Sequence, residues 1–129
     1  MAWNLDSNRP IYLQLVEELE NRIVTGKYPS GSQLPGVRAL AQEAAVNPNT
    51  MQKALQELER ENLVFAQRTA GRFVTQDSQM LQQLRLRLAR EQAAAFLAGM
   101  EKLGLTKEEA LRLAAEMEKE ENHDTNSGM

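Results

Sequence analysis

The pair Asn47-Pro48 fixes the start of a helix more firmly than any other feature of this chain. The Asn47 side-chain oxygen can accept from a free amide of the first turn, and Pro48 at the first helical position has no amide to leave unsatisfied. From there Met51, Ala54, Leu55 and Leu58 fall at i, i+3, i+4 and i+7, an apolar stripe that must be buried. A helix over residues 48–60 follows. With about 3.6 residues per turn, Asn49, Lys53, Gln56 and Arg60 lie opposite the stripe, and Gln52 sits at its margin. Taken alone, that polar flank is as well explained by solvation as by binding.

The neighbouring segments narrow the choice. Residues 37–44 carry Leu40, Ala41 and Ala44 at helical spacing, and Ala45-Val46 makes a turn into the next helix. Beyond it, Leu63, Phe65, Phe73 and Val74 bracket Gln67-Arg68-Thr69-Ala70-Gly71-Arg72. This reads as a hairpin with Gly71 near its tip, where positive φ is cheap. Between Asn62 and Gln76, Arg68 and Arg72 have no acidic neighbour in sequence, so the tip is expected to be locally basic. A basic tip suits the negative potential of a DNA minor groove. An ordinary exposed hairpin with solvated arginines is the plainer alternative. Together the segments predict a mainly α fold with a small β wing, a winged helix-turn-helix.

Upstream, Tyr12, Leu15, Leu19 and Ile23 follow helical spacing over residues 10–25, Val16 widens the stripe, and Gly26 ends it. Trp3 and Leu5 alternate in the preceding segment, as an edge strand or as a hydrophobic anchor, with Trp3 packing rather than binding a ligand. After Asp77 the pattern turns wholly helical. Leu86, Ala89, Ala93, Phe96, Met100 and Leu103 step by threes and fours, the spacing of a coiled-coil seam, which implies a partner helix. Leu81, Leu84 and Leu88 form an earlier stripe that can brace the winged helix. Gly104 breaks the run, and Thr106-Lys107-Glu108-Glu109 is a capping-box pattern opening a last helix through about Glu121, with Ala110, Leu113 and Met117 on one face.

The expected organisation is therefore a winged helix-turn-helix domain over residues 1–76, a two-helix dimerisation element over 77–121 and a flexible tail over 122–129. The dimerisation residues are Leu86, Ala93, Phe96, Met100, Leu103, Leu113 and Met117. Homodimerisation is favoured because so short a chain leaves this apolar surface little cover of its own, the alternative being an intrachain hairpin of the two helices.

Whole-chain quantities bound the function. A chain of 129 residues with 42% hydrophobic content supports one domain and a small appendage. Residues 1–76 hold 8 basic and 8 acidic residues and residues 77–129 hold 7 and 10, so the net charge of −3 arises in the C-terminal part. That balance argues against coating nucleic acid broadly, because non-specific affinity grows with the number of phosphates neutralised. The absence of cysteine excludes disulfides and thiolate metal sites. There is no signal-like start and no long apolar run, so a cytoplasmic location without membrane association is expected. No nucleophile, metal-ligand spacing or phosphate-cradling loop suggests an enzyme, and no cofactor or metal is expected. The single histidine, His123, reads as solvated in the tail.

The segments LPGVRALA, VNPNTMQKALQELERENLV and RTAGRFV, preceded by RPIYLQLVEELENRIVTGKYPSGSQLP, resemble the GntR family of bacterial transcription regulators. The likeness covers roughly residues 9–76, and the short chain is similar to the family's YtrA subfamily. It implies that Arg38 contacts DNA, that Asn49, Thr50 and Gln52 open the recognition helix, and that Gly71 is the wing-tip glycine approaching the minor groove. Lys53 joins them from its position on the outer face. Gly36 stands where a serine usually caps helix two, Pro48 where other branches carry arginine, and Thr69 where a first wing glycine is common. The subfamily likeness also implies two C-terminal helices used for dimer formation and control of ABC transporter genes.

The expected mechanism is a homodimeric repressor on a pseudo-palindromic operator, with recognition helices in successive major grooves. Gln52 and Asn49 are the candidates for bidentate reading of adenine. Arg38, Thr50 and Lys53 are the candidates for phosphate contacts, with guanine as an alternative target of Arg38. Phe96, Met100 and Met117 offer adaptable surface either for a methionine-rich core or for a small-molecule effector. A protein-protein interaction module is the rival class.

Overall fold

A computed structural model describes the backbone of residues 3–127 and the side chains of residues 3–120. The elements are α1 (Ile11–Val24), α2 (Val37–Ala44), α3 (Pro48–Arg60), β1 (Val64–Gln67), β2 (Gly71–Val74), α4 (Ser78–Lys102) and α5 (Lys107–Ser127). They fall into two compact units, residues 1–86 and 87–129.

In the first unit α1 and α2 both pack on α3. Met51, Ala54, Leu55 and Leu58 are wholly buried, as the stripe requires, against Leu15, Leu19, Leu40, Ala41 and Ala44. Each large aliphatic group so enclosed contributes about 1.5–3 kcal/mol. The helix ends are chemically explicit. The Asn47 side chain accepts from the Asn49 amide at 2.7 Å, with Pro48 following it. At the far ends of α2 and α3, Ala45 (φ 59°) and Asn62 (φ 64°) turn left-handed. The next amides then reach back, Val46 to Ala41 O and Leu63 to Leu58 O, satisfying carbonyls that the helix alone leaves open.

β1 and β2 pair antiparallel with Phe65 opposite Phe73 and Gln67 opposite Gly71. Arg68-Thr69-Ala70 forms the loop, and Gly71 (φ 100°) takes the left-handed position that closes it. The segment before α2 lies along the free edge of β2. There Leu34 donates to Arg72 O at 2.8 Å and Val74 to Ser32 O at 2.9 Å. The wing is thereby held from both sides.

The N-terminal segment makes no strand among the described residues. Buried Gln14 fastens it by accepting from the Asp6 amide and donating to the carbonyls of Asp6 and Arg9. Farther along α1, Arg22 donates to Glu18, Glu43 and the Tyr28 hydroxyl, and its guanidinium lies 4.3 Å from the Trp3 ring centre. Trp3 is thus an anchor. Burial works against the charge of Arg22, but the three hydrogen bonds outweigh it and hold the group above the ordinary arginine range.

Asp77 caps α4 by accepting from the amides of Gln79 and Met80. Leu84 is buried, Leu81 is half-buried, and Arg85 donates to Val24 O at 2.8 Å, which ties the first turns of α4 to the end of α1. In the second unit α4 closes at Lys102, and Leu103 lies in the turn that follows. Left-handed Gly104 donates to Glu101 O, and Leu105 reaches Met100 O. The capping box forms as the sequence implies: Thr106 N–H donates to Glu109 Oε1 at 2.9 Å, and Glu109 N–H donates to Thr106 Oγ1 at 3.1 Å. The Thr106 backbone and hydroxyl bonds hold the Glu109 carboxyl below its usual range.

Helix α5 continues to Ser127, past the expected end at Glu121 and through most of the expected tail, because no glycine or proline interrupts the chain before Gly128. The side chain of His123 lies outside the described residues. Among the described residues, no helix is long and apolar enough to cross a membrane.

Candidate DNA-binding surface

With its apolar stripe fully enclosed, α3 can present only its other flank, where Asn49, Lys53, Gln56 and Arg60 are exposed. Asn49 and Thr50 occupy the first turn beside Asn47, with Thr50 half-buried. Arg38 stands exposed in the first turn of α2, whose leading residue Gly36 provides no side-chain cap. Two members of the flank are engaged by neighbouring elements. The Lys53 ammonium lies 4.0 Å from the centre of the Tyr12 ring on α1, and Arg60 pairs with Glu57.

The wing differs from its sequence reading. Arg68 is exposed in the loop, but Arg72 is not a free cation at the tip. It points back to α3, where Nε pairs with Glu59 Oε1 and Nη2 donates to Gln52 Oε1 at 3.3 Å. The expected run of two uncompensated arginines is therefore corrected to one, Arg68. A count of acidic residues within the hairpin cannot see Glu59, which precedes it in sequence and meets Arg72 only once the strands are folded. Gly71 is exposed, and the Gln33 amide donates to the Ala70 carbonyl just before it. A Cβ at Gly71 would come within 2.8 Å of Gln33 Nε2, the far end of a flexible exposed side chain that can move aside, so it is the φ of 100° that calls for glycine here.

Two residues of this surface escaped the sequence reading. Glu59 carried a usable signal, since it stands seven residues after Gln52 and so on the same edge of α3. Gln33 carried none, because its partner lies 37 residues away in the wing loop.

The residues expected to form the dimer contact are largely uncovered. Leu86, Ala93, Phe96 and Leu113 are exposed and Met100 is half-buried, while Leu103 is 77% and Met117 57% exposed. Ala110 is the only fully covered residue among the described side chains of α5. Phe96, Met100 and Met117 are consequently not gathered into a methionine-rich core within one chain.

A helix with a buried apolar face and an open polar one, preceded by a helix-turn and followed by a wing, defines a winged-helix DNA-binding protein. The family model for bacterial regulatory proteins of the gntR family matches residues 11–74. The uncharacterized HTH-type transcriptional regulator YhcF of Bacillus subtilis is 39% identical over 105 residues, 81% of this chain and 87% of that one. The HTH-type transcriptional repressor YtrA of the same organism is 36% identical over 72 residues, 56% of this chain and 55% of its own. Among solved structures, a GntR family transcriptional regulator from Listeria monocytogenes superposes with a TM-score of 0.79 at 36% identity, covering 87% of this chain and 98% of that one. The chain belongs to the GntR family, and it is a transcription regulator with a DNA-binding winged helix, not an enzyme.

Proposed function

We propose that this regulator acts as a homodimeric repressor, setting two copies of α3 into successive major grooves of a pseudo-palindromic operator. The half-sites would be about one helical turn, or a multiple of it, apart. The observation that carries the reading is the division of α3 into a stripe with no exposure and a flank open to solvent. In this reading Asn49 and Gln52 meet base edges, Arg38, Thr50 and Lys53 meet phosphates, and Arg68 with the backbone at Gly71 approaches the minor groove.

Dimer formation is supported by the apolar side chains that α4 and α5 leave uncovered, since patches of this kind on a small protein mark an interaction surface. Repression is supported by the name of the relative YtrA, and control of transporter genes follows from the subfamily resemblance. The near-neutral DNA-binding part leaves little non-specific attraction, so affinity depends on two correctly spaced half-sites.

Selection of bound duplexes from a random library at physiological salt tests this directly. An inverted repeat with fixed spacing is the expected product. Enrichment of a single unsymmetrical half-site would remove the dimer, and enrichment of nothing would remove sequence-specific operator binding altogether.

A further inference from the structure

We propose that Arg72 is a positioning residue for base recognition, which turns the carboxamide of Gln52 so that its amino group, rather than its carbonyl, faces the DNA. The inference rests on the operator-reading role given to α3 and deepens it.

Gln52 and Glu59 are seven residues apart, two turns along the edge of α3 that borders the wing. The guanidinium of Arg72, carried on β2, bridges them. Nε is paired with the Glu59 carboxylate, and Nη2 donates to Gln52 Oε1 at 3.3 Å. Its side chain is only 19% exposed, with Glu59 at 30%, so the charge is neutralised and partly withdrawn from solvent. A planar fork suits this task, because it can hold two partners at fixed directions where an ammonium is a single point.

The direction of the amide follows from donor and acceptor chemistry. A guanidinium can only donate, so the atom of Gln52 that faces it is the oxygen, and the NH2 group points away. A free glutamine suits adenine, giving one hydrogen bond to N7 and accepting another from the 6-amino group. Gln52 with its oxygen turned to the wing offers donors alone. The major-groove edge that accepts twice is guanine, through N7 and O6. Arg72 thus moves the preference of Gln52 from adenine toward guanine without touching DNA itself. The same bridge ties β2 to α3, so the wing and the recognition helix keep one relative register.

The test uses the full chain and the duplex selected by wild-type protein, with all four base pairs compared at every position in competition binding. Gln52→Ala identifies the position that Gln52 reads. At that position Arg72→Ala is expected to raise the adenine-to-guanine binding ratio by about tenfold, within the range that a good bidentate pair discriminates. The double variant Arg72→Ala/Gln52→Ala should show no such change. A loss of fold would lower affinity without exchanging one base for another.

Arg72→Lys keeps a cation within reach of Glu59 but cannot span both partners, and it should show the same shift if the alanine variant unfolds. The proposal is overturned if the ratio stays constant while affinity falls evenly, or if affinity falls only at flanking A·T steps as a minor-groove contact would give. It is also overturned if Gln52→Ala changes no position. Failure of wild-type protein to select any duplex would instead strike the regulator reading itself, and the two failures are distinguishable.

Discussion

Lys53 sits where two roles compete. Its ammonium rests on the face of Tyr12, an attraction worth about 0.5–1 kcal/mol at an exposed site. A phosphate can outbid that contact, and the four-carbon stem is long enough to swing from ring to backbone. Lys53→Ala is therefore expected to weaken binding to all duplexes alike and to lower the log-log salt slope by about 0.9. Filter binding at several salt concentrations measures it, and an unchanged slope would leave Lys53 as a partner of Tyr12 only.

At this scale the sequence was most readable where chemistry is local. Asn47 and Pro48 announce a helix start because the cap bond spans two residues. The pairing of Arg72 is not legible in the sequence because its partners lie 13 and 20 residues away, and only the hairpin register brings them near.

Among the elements, the bounds of α2 and α3 match the sequence reading, since caps, stripe and turn all point to the same ends. The turn between them holds an unfavourable choice. Ala45 carries a side chain in the left-handed region at φ 59°, which costs about 1–2 kcal/mol. Glycine there would relieve the strain but forfeit about 0.4–1 kcal/mol of it, because it enlarges the conformational freedom of the unfolded chain. Ala45→Gly should raise stability by roughly 0.5–1 kcal/mol, seen as a higher urea midpoint with an unchanged m-value. A lower midpoint would mean that the methyl group contributes more than the conformation costs.

The N-terminal anchor gives a second test at this scale. Glu43 on α2 accepts from Arg22 and from Trp3 Nε1, and these two hydrogen bonds, Arg22 first, hold its carboxyl below the ordinary glutamate range. A carboxyl depressed in the folded state stabilises above its unfolded pKa, and that contribution disappears as pH falls through the folded value. The emission of Trp3, the single tryptophan, should therefore shift on acidification below the usual glutamate range, and Glu43→Gln should abolish that step. A step that survives in the variant would assign the transition to another group. Glu43 was not legible as a partner of Trp3, since forty residues separate them.

For the molecule as a whole, helical periodicity announced α4 and α5 but left open what they pack against. An apolar seam says that a neighbour exists without saying whether it is the same chain. The structure narrows this by leaving Leu103, Leu111, Leu113 and Met117 open to solvent. Leu113→Glu is expected to halve the mass seen in sedimentation and to weaken operator binding, while the Trp3 emission of the winged-helix unit stays as in the wild type. A variant that remains paired would place the contact elsewhere.

The bare apolar side chains of α4 and α5 also bear on how such a switch reads its own abundance. When two chains must meet before either grips its target, the active species grows with the square of the supply in the dilute regime. A twofold rise in synthesis then delivers up to about four times as many competent pairs. Under the proposed dimeric repression, gene dosage, and not only an added signal molecule, would become an input to silencing, and a culture that lets this protein dwindle would release its target abruptly rather than by degrees.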